Sequence, residues 1–169
     1  MFADVILHTV RDPPATFLSA EAAAALKGKI IIDLNNHDFP RDNPKETLTQ
    51  PSLAEKVQQA HPDAKVVKAY NTMAMEVFDH PPAELKAMQV SAFLAGDDAE
   101  AVDTVAKLSE DLGLVPVKFG GLKDAWLVEA QGDFVRTLIF KDMDPMMTIN
   151  AKSIPKPSAS GRGRKEGTY

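Results

Sequence analysis

Residues 3–14 read ADVILHTVRDPP, an apolar run that ends on two prolines. The stretch Ala3–Val10 is aliphatic and partly β-branched, which predicts a strand. Pro13 and Pro14 turn the chain out of it. Two runs of the same kind follow, KIIIDLNN from Lys29 and KVVKAYNT from Lys65, each apolar at consecutive positions as a strand covered on both faces would be. Between the first two, TFLSAEAAAALKG predicts a helix capped by Thr16 and stopped at Gly28. Between the second and third, the polar stretch His37–Pro51 predicts a long loop, and Ser52 with Glu55 forms a capping box for a short helix. Strands alternating with helices predict a parallel α/β sheet rather than a sandwich or a bundle.

The second half continues this pattern with interruptions. Pro81 and Pro82 in DHPPAEL read as excluding a regular helix, and VSAFLAG reads as a fourth strand. After Asp97 and Asp98 comes a helix with Val102, Val105, Leu108 and Leu112 on one face and Gly113 behind it. VPVKF from Val115 is a fifth strand, and its Pro116 suits a sheet edge. The stretch GGLKDAWLVEAQGDFVRTLIF predicts a helix with Leu127, Ala130, Phe134 and Leu138 at core spacing, weakened in the middle by Gly132. Trp126 reads as packing, and Met143, Met146 and Met147 with Phe140 read as adaptable core filler. No internal repeat is present. The expected organisation is one sheet domain over residues 1–141, an extension over 142–154 packed on it, and a disordered tail over 155–169.

Composition narrows the function. With 169 residues, 44% of them hydrophobic, the chain can build one core. No run reaches the eighteen or so apolar residues that span a bilayer, and no basic start precedes an apolar segment, so the reading is of a soluble, cytoplasmic protein. The absence of cysteine excludes disulfides, thiolate metal sites and cysteine nucleophiles. A net charge of -5 argues against nucleic acid as a partner, and the one basic cluster, GRGRK at Gly161–Lys165, lies in the Ser-, Gly- and Pro-rich tail. His8, His37, His61 and His80 do not fall at metal-ligand spacing, so no metal is expected. No G-x-S-x-G elbow supports hydrolase chemistry.

Taken in order, IIIDLNN, VVKAYNT, FLAGDDAEA and LGLVPVKFGGL resemble the NADP-binding domain of the deazaflavin-dependent NADP oxidoreductases. That family is related to the cytosolic domain of six-transmembrane ferric reductases. The resemblance runs from about Ala3 to Phe140. It implies a Rossmann-like dinucleotide-binding fold and hydride transfer between NADP and a deazaflavin or flavin, chemistry that needs placement and dryness from the protein and no acid or base. No catalytic residue is therefore expected. The family's domain begins with a Gly-rich turn that receives the pyrophosphate, and no G-x-G-x-x-G occurs in this sequence. The resemblance thus implies a partial domain corresponding to the family's second half, with a weak NADP site. It also makes Ala3–Val10 an exposed sheet edge through which two copies could pair as a homodimer.

Ligands of open α/β sheets lie beyond the carboxyl ends of the strands. Three groups stand there. Thr9, Val10 and Pro13 match the family's cofactor-touching turn loosely, with Arg11 and Asp12 departing from it and reading as a solvated loop pair. Asn35 and Asn36 offer amide donors and acceptors that suit a carboxamide or ribose, or that serve their own turn. Ala69 is small enough to admit a ring, and Asn71 is placed to bond the cofactor. Lys68 reads as a snorkelling surface residue. A rival reading is a non-enzymatic interaction module that self-associates through its edge strand.

Overall fold

The computed structural model describes residues 3–10, 18–37, 51–144 and 146–154. Five strands form one sheet in the order β1-β2-β3-β4-β5: β1 Val5–His8, β2 Ile30–Asp33, β3 Lys65–Lys68, β4 Ser91–Gly96 and β5 Val115–Gly120. The helices are α1 Ala20–Ala24, α2 Leu53–Ala60, α3 Pro82–Met88, α4 Ala99–Asp111 and α5 Ala125–Asp142, with 3₁₀ turns at Met75–Asp79 and Leu122–Asp124. This is the Rossmann-like α/β architecture expected, with flanking helices and β1 and β5 at the two edges.

The sheet is not wholly parallel. β1, β2 and β3 run together, and so do β4 and β5, but β3 and β4 pair antiparallel through Val67 with Gly96 and Lys68 with Ala95. The connection that reverses the chain contains α3, which the two prolines were expected to forbid. Pro82 instead occupies the first turn of that helix, where a missing N–H is not missed and a fixed φ helps.

Two apolar layers sandwich the sheet. On one face Ile32, Val67, Ala92 and Leu94 pack with Leu85 of α3 and Val102 and Val105 of α4. On the other, Ile31, Val66 and Ala95 pack with Leu26, with Ala54 and Val57 of α2, and with Ala125 of α5. The capping box of α2 forms in full, Ser52 Oγ accepting from Glu55 N at 3.1 Å and Glu55 Oε2 accepting from Ser52 N at 2.8 Å. The expected cap Thr16, like Pro13, Pro14 and the tail after residue 154, lies outside the described residues; Ser19 caps α1. Residues 146–154 return to the sheet. Met73 bridges Thr148, Asn150 Oδ1 accepts from Ser91 N, and Ser91 Oγ accepts from Ala151 N.

Two helices are turned relative to their sequence pattern. In α4, Leu108 and Leu112 are exposed while Ala101, Ala106 and Ser109 join Val102 and Val105 inside. In α5 the inward face is Val128, Glu129, Gly132 and Val135, and the expected core residues Leu127 and Phe134 face out. Gly132 is the reason: a Cβ there would stand 2.2 Å from Asn36 Oδ1 and 2.6 Å from Asn71 O, so only glycine lets the helix come this close. Phe140, Met143 and Met146 are exposed as well, and are not core filler. Among the described residues no helix is long and apolar enough to cross a membrane.

Gly28 and Gly113 separate backbone strain from crowding. Both have positive φ, +72° and +82°, but an added Cβ meets nothing within 4 Å at Gly28 and stands 2.0 Å from Pro82 O at Gly113. Gly28→Ala is expected to destabilise by the left-handed penalty alone, about 1–2 kcal/mol. Gly113→Ala adds overpacking against backbone, for a total of about 3 kcal/mol or more. Urea unfolding of the two variants checks the order.

Candidate functional site

The carboxyl ends of β1, β2 and β3 carry two distinct constellations, one on each face. Successive residues alternate between faces, so His8, Asp33 and Lys68, which are register partners across the three strands, turn toward α2 and α5. There they form a buried charge network. Lys68 Nζ lies 2.7 Å from Asp33 Oδ2 and 3.2 Å from Glu129 Oε1, and all three side chains are fully buried. Lys68 Nζ also donates to the Asn35 carbonyl. His8 Nδ1 stands 2.9 Å from Asp33 Oδ1. Glu129 reaches on to the start of α2, its Oε2 accepting from Leu53 N at 3.0 Å and its Oε1 from Ala54 N at 3.2 Å. His37 closes the outer side, with Nδ1 2.8 Å from Asp133 Oδ2 and Nε2 3.4 Å from Glu129 Oε2.

Burial alone would raise the Asp33 carboxyl, but the Lys68 charge and hydrogen bonds from His8, Lys68 and Asn35 outweigh it and hold it at about 2. Lys68 is thus an internal counter-ion, not the snorkelling surface residue expected. A lone lysine in an apolar strand gave no warning. The available signal was that IIID and VVK end in opposite charges after matched apolar runs, which the register then sets side by side.

The other constellation lines a cleft of about 790 Å³ on the opposite face. Its walls are Val5 and Leu7 of β1, Ile32 of β2 and Leu34 just beyond it, Met75 and Phe78 of the 3₁₀ turn, and Leu108 of α4 with Leu112 at its C-cap. Thr9, Asn36, Tyr70 and Asn71 complete it at the strand ends. Asn36 and Asn71 are locked together, Asn36 Nδ2 donating to Asn71 O at 2.8 Å and Asn71 Nδ2 donating to Asn36 Oδ1 at 3.0 Å and to Val128 O at 2.9 Å. Asn71 Oδ1 is buried with no hydrogen-bond partner among the described residues. Tyr70 turns the chain into this position with a φ of +60°, unusual for a tyrosine, and its hydroxyl is anchored 2.9 Å from Ser109 Oγ.

The residues expected at a site therefore separate. Thr9, Asn36 and Asn71 meet around the cleft. Val10 lines a smaller hollow on the far side of β1, with Ile6, Leu18 and Leu26. Asn35 spends its amide on the His8 and Val10 carbonyls and on Asp33 Oδ1, and Ala69 is buried in the core. Pro13, Arg11 and Asp12 lie outside the described residues. Sequence reasoning missed Glu129, His8, His37 and Asp133, which come from three separate segments.

Comparison with known structures gives the same fold, a Rossmann-like α/β sheet. No family model matches the sequence. A protein of Arthrobacter sp. FB24 described as a "putative F420 dependent NADP-reductase" superposes with a TM-score of 0.72 at 25% identity, over 90% of this chain and 71% of its own. A hypothetical protein of Sinorhizobium meliloti superposes with a TM-score of 0.56 at 33% identity, over 72% of this chain and 58% of its own.

The network makes stability acid-sensitive. Because the folded Asp33 carboxyl is held at about 2 against an ordinary value of 3.8, its contribution is complete above pH 4 and is lost as the pH falls toward 2. The loss is about 2 kcal/mol at 1.36 kcal/mol per pKa unit. Asp33→Asn is expected to remove this slope and, by leaving Lys68 short of a partner, to destabilise at pH 7 by about 3–5 kcal/mol. Thermal unfolding of both proteins between pH 2 and 7 measures the two effects.

Proposed function

We propose that this chain is an NADP-dependent oxidoreductase-type domain that holds the nicotinamide side of the cofactor for hydride transfer to or from a deazaflavin or flavin. One observation carries the reading: Thr9, Asn36 and Asn71 gather at the carboxyl ends of three parallel strands, at the rim of an apolar cleft. The likeness to the Arthrobacter protein supports it. The rim fits a carboxamide, since Asn71 Oδ1 is a buried acceptor in need of a donor and Thr9 adds a hydroxyl. The apolar walls suit an aromatic ring and exclude water from it. When bound, the nicotinamide supplies the hydride chemistry; these residues supply orientation.

Among the described residues the start of α2 offers the pyrophosphate no such fit. Phosphates of dinucleotides rest on free N–H groups at a helix start. Here the first N–H groups of α2 are taken by Glu129 and Ser52, a carboxylate and a hydroxyl of the chain itself. No G-x-G-x-x-G occurs in the 169 residues. Three missing charge-assisted bonds of about 1.5–3 kcal/mol each weaken binding by a thousandfold or more. A second reading, an interaction module, is favoured by the edge position of β1, with no strand on its outer side among the described residues.

NADPH titrated into the chain by fluorescence is expected to bind with a Kd weaker than about 100 µM, several decades short of the nanomolar range. Saturation-transfer NMR at millimolar NADP should find the nicotinamide protons closest to the protein, and Asn36→Ala should diminish that contact. Micromolar affinity contradicts the pyrophosphate argument. Contact through the adenine alone, or none, contradicts the nicotinamide assignment.

A further inference from the structure

The reversal between β3 and β4 also turns a helix round. In a wholly parallel sheet each helix begins where a strand ends, so helix N-termini gather at the ligand end. Here α4 follows the reversed β4 and runs back before β5, which brings its last turn to the end where β1, β2 and β3 finish. Ser109 Oγ, 2.9 Å from the Tyr70 hydroxyl, fixes it there, and Leu108, Asp111 and Leu112 line the cleft. The cleft therefore meets the negative end of the α4 dipole. The sequence strengthens that sign. The last turn of α4 carries Glu110 and Asp111 and no basic residue, the opposite of what stabilises a helix C-terminus. A local rule broken at the rim of a cleft points to a ligand rather than to folding.

Two further features of the lining have the same preference. Tyr70 and Phe78 meet edge to face with their ring centroids 5.9 Å apart, and aromatic faces attract cations. Asn71 is 3% exposed, and its Nδ2 is committed to Asn36 and Val128, which leaves Oδ1 as a buried acceptor without a hydrogen-bond partner among the described residues. Resting on the nicotinamide reading above, we propose that the cleft is selective for charge, holding the cationic pyridinium form of the ring more tightly than the neutral dihydropyridine form. Uptake of a hydride, one hydrogen with two electrons, forms a C–H bond on the ring and cancels its positive charge, while the carboxamide stays the same. Asn71 thus serves both forms, and Asp111 with the end of α4 and the Tyr70–Phe78 pair tells them apart. Each of these three effects is worth a factor of about two to five at a partly exposed site, and together they give about tenfold. A tenfold preference lowers the potential of the bound two-electron couple by about 30 mV, which favours capture of the ring before hydride uptake and its release afterwards.

Two probes without phosphates isolate the charge: the 1-methylnicotinamide cation and its neutral 1,4-dihydro form. In NMR titrations of the full isotope-labelled chain the cation is expected to bind with a Kd of about 1–10 mM, as suits a small fragment, and to shift the side-chain amides of Asn36 and Asn71. The dihydro form should shift the same amides with about tenfold weaker affinity. Asp111→Asn, a near-isosteric change at an exposed position, should reduce that ratio about threefold by weakening the cation alone. A merely structural role for Asp111 would move both probes together. Equal affinity for the two probes, or preference for the neutral one, overturns the charge selectivity and leaves the nicotinamide site standing. A preference that Asp111→Asn does not diminish overturns the part given to Asp111. Binding of neither probe, or binding that bypasses Asn36 and Asn71, overturns the nicotinamide reading and this inference with it.

Discussion

The ammonium of Lys68 is fully buried, and five segments of the chain are arranged around it. β2 gives Asp33, the chain just beyond it gives the Asn35 carbonyl, α5 gives Glu129, and β1 and α2 join through those carboxylates. A charge withdrawn from water must find opposite charge and hydrogen bonds at close range, and each of these partners has only one place to stand. Apolar residues of the same volume could match the stability of such a network. They could not fix the rotation and height of α5 as sharply, because hydrophobic contact has no direction and a salt bridge with shared hydrogen bonds has.

That placement has two effects on the site. It brings Gly132 against the Asn36–Asn71 pair, so the amides at the strand ends are held by each other, by the Val128 carbonyl and by the helix backbone. It also puts a carboxylate on the start of α2. The positive end of that helix is thereby neutralised from inside, and an anionic ligand would meet Glu129 there in place of free N–H groups. The two constellations at the strand ends thus divide the work, one face holding the scaffold together and the other remaining open and apolar.

Much of this fold could be read from local pattern. Three consecutive-apolar strands, the Ser52–Glu55 capping box, the edge position of a proline-bearing β5 and the αL glycines at 28 and 113 are properties of a few adjacent residues, and the structure has them. What local pattern could not give was direction and rotation. The antiparallel step between β3 and β4 depends on how residues 69–90 reverse the chain, which no single motif encodes. The rotation of α5 was misjudged because its two apolar stripes are equal in the sequence, and only the contact at Gly132 chooses between them. Of the expected site residues, Thr9, Asn36 and Asn71 line one cleft, as neighbouring strand ends would place them, whereas Asn35 and Ala69 sit one alternation or one layer away. The charge network stayed hidden because its members are spread from His8 to Asp133 and meet only through strand register.

The reversed pairing of β3 and β4 also gives the molecule a front and a back. The turns that leave β4 and β5 lie at the end of the sheet opposite the cleft, a strand length of about 20 Å away for six residues. Exposed Lys123, just beyond β5, belongs to that far end. A thiol introduced there would be unique in the chain, so a dye or a surface tether could be attached at one known point and the cleft observed without being touched.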